Sequence, residues 1–191
     1  MLKLKYIVNQ FFNSRTYILS DDSTDKVWLV DCGDIEKVFP LIGDSVIEGV
    51  LLTHTHSDHI YGLNAMLELF PEARIVTNAY GYDALISPRL NISRYQTDFE
   101  DFILSGRRNV EVVSDAQHID LLGQSVLVFE TQGHDPSCLC YRVGNYLFTG
   151  DAYLPGLKVI TSFPFSDKTQ AQASVSRILG ISDGLQICPG H

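Results

Sequence analysis

Thr53-His54-Thr55-His56-Ser57-Asp58-His59 places four ligand-type side chains within six positions, directly after the apolar run Val50-Leu51-Leu52. That run reads as a buried strand, so the histidines begin where the strand ends. His54 and His56 sit two apart and can point to one side of a strand end or tight loop. Asp58 and His59 fall at the turn into a helix, over which Leu63, Met66, Leu67 and Phe70 recur at helical spacing until Pro71 stops it. Such a bend splits the four ligands into two pairs, each aimed at a different ion. Neutral imidazoles with a carboxylate suit zinc, and also iron or manganese, because borderline metals accept nitrogen and oxygen donors.

Outward from this cluster, three more stretches carry ligand types: Gly133-His134, Gly150-Asp151 and Pro189-Gly190-His191. Of the six histidines only His118 stands outside the pattern. His134 ends a strand after a glycine, a natural loop position for a third ligand to the first ion. Asp151 closes the strand that starts at Tyr146, where a carboxylate could bridge two cations. His191 is placed to complete the donors of the second ion.

The rest of the chain alternates short β-rich runs with longer helical ones. Tyr6 to Val8, Arg15 to Leu19 and Val27 to Val30 read as strands around polar turns. Ile75 to Thr77, Val126 to Glu130, Cys138 to Val143 and Tyr146 to Phe148 follow, the last two joined by a Gly144-Asn145 hairpin turn. Thr169 to Leu179 reads as a helix and Leu185 to Cys188 as a final strand. Mixed strands and helices without clean βαβ alternation favour two packed sheets with helices outside. The least regular part, Asp83 to Asn109, carries Tyr95, Phe99, Phe102 and four arginines. It reads either as a helical excursion over one sheet edge or as a cap that shapes a substrate pocket. Asn91-Ile92-Ser93 matches a glycosylation sequon, read here as accidental.

A chain of 191 residues suits one domain, here 1–191, with the cap or insert at about residues 83–109. A net charge of −9 argues against a nucleic-acid surface, and Arg107-Arg108 is the one adjacent basic pair. Apolar runs are too short for a membrane span, and the Met1 to Tyr6 stretch lacks a signal-peptide core, so a cytoplasmic protein is expected. A small-molecule substrate is the expected partner, and nothing in the sequence specifies an oligomeric state. The four cysteines (Cys32, Cys138, Cys140, Cys188) read as small buried hydrophobes.

The set Asp31-Cys32-Gly33, His54 to His59, Gly133-His134, Gly150-Asp151 and Pro189-Gly190-His191 resembles, in order, the marks of the metallo-β-lactamase-fold superfamily. Within it the chain looks most like the glyoxalase II-like hydrolases. The resemblance implies an α/β four-layer αββα sandwich, two mixed sheets with helices on the outer faces. It implies that His54, His56 and His134 hold one metal and Asp58, His59 and His191 a second, with Asp151 bridging and Asp31 bracing the ligand loop. Two Zn2+ are expected, with iron or manganese as alternatives. A water between two such cations would attack a small thioester or ester, and Asp58 is expected to orient it or shuttle a proton. Tyr153 and Lys158 are candidate substrate contacts. The stretch after Asp151 lacks the family's usual Gly-Arg and no helical domain is expected after His191, which weakens the expectation of a glutathione thioester.

The main alternative is a persulfide dioxygenase with a single iron, whose motif set is similar. A phosphodiesterase or nuclease is disfavoured by the acidic charge. A β-lactamase is disfavoured because such enzymes are normally exported and major subclasses place cysteine where Asp151 stands. A non-catalytic binding module is disfavoured by the intact ligand set.

Overall fold

The computed structural model describes residues 1–97 and 100–191, so Phe99 of the irregular segment lies outside the described residues. Strand β1 (Leu2–Val8) pairs antiparallel with β2 (Arg15–Asp21), and β2 pairs antiparallel with β3 (Lys26–Val30). From β3 the sheet turns parallel through β4 (Val46–Leu51), β5 (Arg74–Thr77) and β6 (Val110–Val112). The second sheet is an antiparallel run of β7 (His118–Leu121), β8 (Gln124–Glu130), β9 (Leu139–Val143) and β10 (Tyr146–Gly150), completed by β11 (Gln186–Pro189) parallel to β10.

Burial on both faces of the strands explains why so many read as continuous apolar runs. In β2, Tyr17 and Leu19 enter the layer between the sheets while Ile18 faces the opposite way; in β3, Trp28 and Val30 alternate likewise with Val27 and Leu29. The outer face of the first sheet packs against α1 (Ile35–Ile42) and α3 (Leu63–Leu69) through Val38, Ile42, Leu63 and Met66. The outer face of the second sheet packs Phe129, Cys140 and Leu147 against Ile178 of α5 (Lys168–Ile181). The result is the expected αββα sandwich. All four cysteines are free and buried, Cys138 and Cys140 beneath α5. Among the described residues no helix is long and apolar enough to cross a membrane.

Two elements differ from the sequence expectations. Helix α1 is not announced by pattern, because Pro40 lies inside it and proline removes an amide donor. Among the described residues, the helix in Asp83–Asn109, read as either an excursion or a cap, is the end of α4 (Ala79–Ala84) and one 3-10 turn at Ser93–Tyr95. Asn91 holds the remainder together. Its buried amide donates to the carbonyls of Ala84 (2.9 Å) and Phe102 (3.0 Å) and accepts from the Ser93 N–H (3.1 Å). Both amide hydrogens are thus spent internally, which agrees with reading the sequon as accidental.

Candidate metal centre

The ligand-type residues meet where β4, β8, β10 and β11 end. At the end of β3 the chain turns through Asp31, whose φ of 60° lies in the left-handed region that short polar side chains tolerate best. The turn aims the Asp31 carboxylate under the histidine loop. It accepts from the Thr53 N–H and the Thr53 hydroxyl, both at 2.7 Å, and its Oδ2 lies 2.9 Å from His59 Nδ1. The Cys32 N–H donates to the His59 carbonyl at 2.8 Å, lacing the turn to the short helix α2 (Ser57–Ile60) that carries Asp58 and His59.

His54, His56 and His134 form one group whose donor atoms all lie within 4.8 Å of one another; Asp58, His59 and His191 form a second, and His54, His59 and Asp151 a third that overlaps both. The seven predicted ligands are therefore brought together. His56 Nδ1 lies 3.0 Å from His134 Nε2, and His59 Nε2 lies 3.3 Å from His191 Nε2. Asp151 reaches both sides: its Oδ2 is 3.6 Å from His134 Nε2 and 3.3 Å from His191 Nε2, while its Oδ1 is 3.7 Å from His59 Nε2. The outer nitrogens of two histidines face backbone carbonyls, His134 Nδ1 at Ile160 (2.9 Å) and His191 Nδ1 at Phe12 (2.9 Å). An Nδ1–H given to the carbonyl leaves Nε2 as the free donor pointing inward.

Two motif glycines are required by space. At Gly133, with φ +128°, a Cβ would stand 2.1 Å from the Ala171 backbone nitrogen on α5. At Gly150, with φ +49°, it would stand 2.4 Å from the Thr53 hydroxyl. Any side chain there would push His134 or Asp151 off the cluster.

The electrostatics of His54, His134 and the two carboxylates match a cation, while His59 and His191 are raised against burial by the carboxylates beside them. Burial first, then the neighbouring imidazoles, hold His54 well below the ordinary histidine range, and burial with His56 brings His134 down to about 4. Burial alone would raise the carboxylates, yet His59 beside Asp58 and His191 beside Asp151 hold both below the usual range. Neutral imidazole and ionised carboxylate are the forms that bind metal. His54 Nε2 and Asp151 Oδ1 are buried without a hydrogen-bond partner. Orphaned polar atoms cost stability, and a divalent cation is the group this donor set would satisfy.

Asp135 is a site residue that sequence reasoning missed. It is fully buried, and its Oδ2 lies 3.3 Å from His56 Nε2. Its Oδ1 accepts from the Ser137 N–H at 2.8 Å and from the Ser137 hydroxyl, which in turn accepts the Thr55 N–H at 2.9 Å. Unlike the hydrogen-bonded Asp31–His59 pair, this is a close charge approach in which neither His56 Nε2 nor Asp135 Oδ2 makes a hydrogen bond. The available signal was an acid directly following a ligand histidine. His118 lies apart on β7, exposed, with Nδ1 3.0 Å from the Ser125 hydroxyl.

A cavity of about 510 Å³ opens over the cluster, lined by His56, Asp58, Asp151 and His191 together with side chains from three connecting segments. Ile92 and Gln96 of the irregular segment are among its walls. Tyr153 and Lys158 are not; they line a neighbouring groove with Thr161, Lys168 and Gln172, sharing only Leu157 with the cavity.

Residues 11–191 match the family model described as the metallo-beta-lactamase superfamily. A hydroxyacylglutathione hydrolase of Hydrogenovibrio crunogenus is 24% identical over 183 residues, covering 92% of this chain and 58% of that protein. The chain thus spans about three fifths of the length of the curated relative it matches. Among solved structures, the BLEG-1 B3 metallo-beta-lactamase superposes with a TM-score of 0.85 at 23% identity, covering 99% of this chain and 91% of the other. TTHA1623, solved in a di-iron-bound form, superposes at 0.81 with 20% identity, covering 98% and 91%.

Proposed function

The chain belongs to the metallo-beta-lactamase superfamily, and on that premise we propose that it is a dinuclear metal-dependent hydrolase of a small thioester or ester. The observation that carries this reading is the overlap of three donor groups at one point, with Asp151 reaching both ends of the cluster. His54, His56 and His134 would hold one cation, Asp58, His59 and His191 the other, and Asp151 both. Two divalent cations so placed would supply an acidified water and a polarised carbonyl. Zinc is the proposed metal, since it suits imidazole and carboxylate donors; the di-iron form of TTHA1623 keeps iron in the test.

The chain's own contribution is positioning and proton handling. Asp31 and Asp135 orient His59 and His56 from behind. Asp58 lines the cavity with its carboxylate 3.3 Å from His59 Nε2 and 3.5 Å from His191 Nε2, so it can hold or pass a proton at the cavity floor. The irregular segment acts in this proposal as the cap, through Ile92 and Gln96. The hydroxyacylglutathione hydrolase relative supports a hydrolase; the thioester or ester substrate is this proposal's own step. A small molecule, not a nucleic acid or membrane, is the proposed partner, in the cytoplasm.

Elemental analysis of natively purified protein, paired with a panel of thioesters and esters, tests the reading. Two zinc ions per chain with hydrolysis is the expected result. One iron per chain with oxygen uptake on a persulfide would replace it with the dioxygenase reading.

A further inference from the structure

The walls of the cavity differ sharply from its floor. Besides the four donors, the lining is Phe12, Ile92, Leu154, Leu157, Ile160 and Phe163, with Gln96 as the one remaining polar side chain. No lysine or arginine lines it among the described residues. The nearby cations are turned elsewhere: Lys158 lines the neighbouring groove, and the Arg89 guanidinium stacks 5.6 Å from the Phe165 ring centre. Phe163 packs edge-on against His56 (5.1 Å) and His134 (5.6 Å), so an apolar wall begins directly beside the first donor group. Leu157 is 68% exposed and Ile160 49%, large apolar side chains at the mouth that a bound molecule would cover.

We infer that this site selects thioesters or esters whose flanking groups are uncharged and apolar, and discriminates against the glutathione conjugate. The inference rests on the hydrolase reading for the reaction and on the cavity walls for the selectivity. In that reaction the water oxygen forms the new C–O bond, the C–S bond breaks, and the thiol leaves with a proton from water. A glutathione leaving group carries two carboxylates and an ammonium into walls that offer no counter-charge, and a desolvated unpaired charge is costly. An aryl or alkyl thiol gains from the same surface, up to about fourfold in affinity per buried methylene.

The test compares two thioesters of phenylacetic acid, one with benzyl mercaptan and one with glutathione. In parallel, the cobalt-loaded protein is titrated with each free thiol, following the visible absorption band. The expected result is at least about a tenfold preference for the benzyl partner in both kcat/KM and Kd, as the cost of burying unpaired charge requires. Ile160→Lys and Leu157→Lys should each shrink that preference; two sites keep the test alive if one variant fails to fold. Equal or tighter binding of glutathione, or a preference that neither lysine changes, overturns the inference. Tighter binding of benzyl mercaptan with no thioester turned over would support the selectivity and overturn the hydrolase reading alone.

Discussion

His54, His56 and His134 form a group of three imidazoles enclosed by protein, none more than 3% exposed, whereas the second group includes His191, whose side chain is 24% exposed. The enclosed group is held from loops, by Asp135 beside His56 and the Ile160 carbonyl behind His134. The open group is assembled from distant parts of the chain. His59 hangs on Asp31, and His191 on the Phe12 carbonyl of the first β-hairpin. Burial also makes the two electrically different. The enclosed pair His54 and His134 is held below the ordinary range, while Asp58 and Asp31 outweigh burial and raise His59, and Asp151 does the same for His191. The contrast is thus between an enclosed set of imidazoles and a more open set whose imidazoles sit against carboxylates.

Four substitutions would break or sharpen this contrast. The largest effect is expected for Asp58→Asn, which removes the charged carboxylate of the open group. Turnover should fall by about 10²–10⁴-fold at full metal occupancy, read by steady-state kinetics beside a metal count. Near-normal turnover with both ions present would remove Asp58 from the chemistry.

Next is Asp31→Ala, which strips partners from the Thr53 N–H, the Thr53 hydroxyl and His59 Nδ1 at once. Urea unfolding of the metal-free protein should show a loss of about 3–5 kcal/mol, the range for breaking a buried charged contact. A loss under 1 kcal/mol would mean the turn is held by backbone alone.

Asp135→Asn should act on the enclosed group. Metal affinity there should drop about 10–100-fold, as outer partners of ligating histidines usually do, with the second ion little changed. Competition with a chelator, following two dissociation steps, separates the cases; equal weakening of both steps would contradict the division into halves.

The smallest effect is expected for Tyr17→Phe. The Tyr17 hydroxyl donates to the Pro189 carbonyl at 2.7 Å, tethering the segment that delivers His191. Its loss should cost about 1 kcal/mol, measured by thermal or urea unfolding. Burial pushes the Tyr17 phenol up to about 12, so the native state keeps a proton that the unfolded chain sheds near pH 10. Stability from this group is therefore intact below pH 10 and lost as pH rises towards about 12. Phenolate absorbance that rises in the native protein near pH 10 for every tyrosine would contradict this.

Much of the architecture was legible because local periodicity and burial agree. The helix ending before Pro71 and the Gly144-Asn145 hairpin are local patterns, and the structure places α3 at Leu63–Leu69 and pairs Val143 with Tyr146. Helix α1 was not legible, since its stability comes from packing Val38 and Ile42 against the sheet, while Pro40 hides it locally. The same limit applies to Asp135. Its role exists only because the loop after β8 brings it against His56, 79 positions away in sequence. Tyr153 and Lys158 fell close to Asp151 in sequence, yet the turn after β10 carries them into a separate groove.

The sequence by itself determined the donor chemistry, the strand and helix ends on which the donors ride, and the family to which the chain belongs. Those features depend on residue type and short spacing, which are written along the chain. Tertiary structure alone decided that His191 stays partly open and that Asp135 lies beside His56. It also decided that the surface over them is apolar, because Phe12, Ile92 and the single connection that carries Leu157 and Phe163 meet only when the two sheets pack.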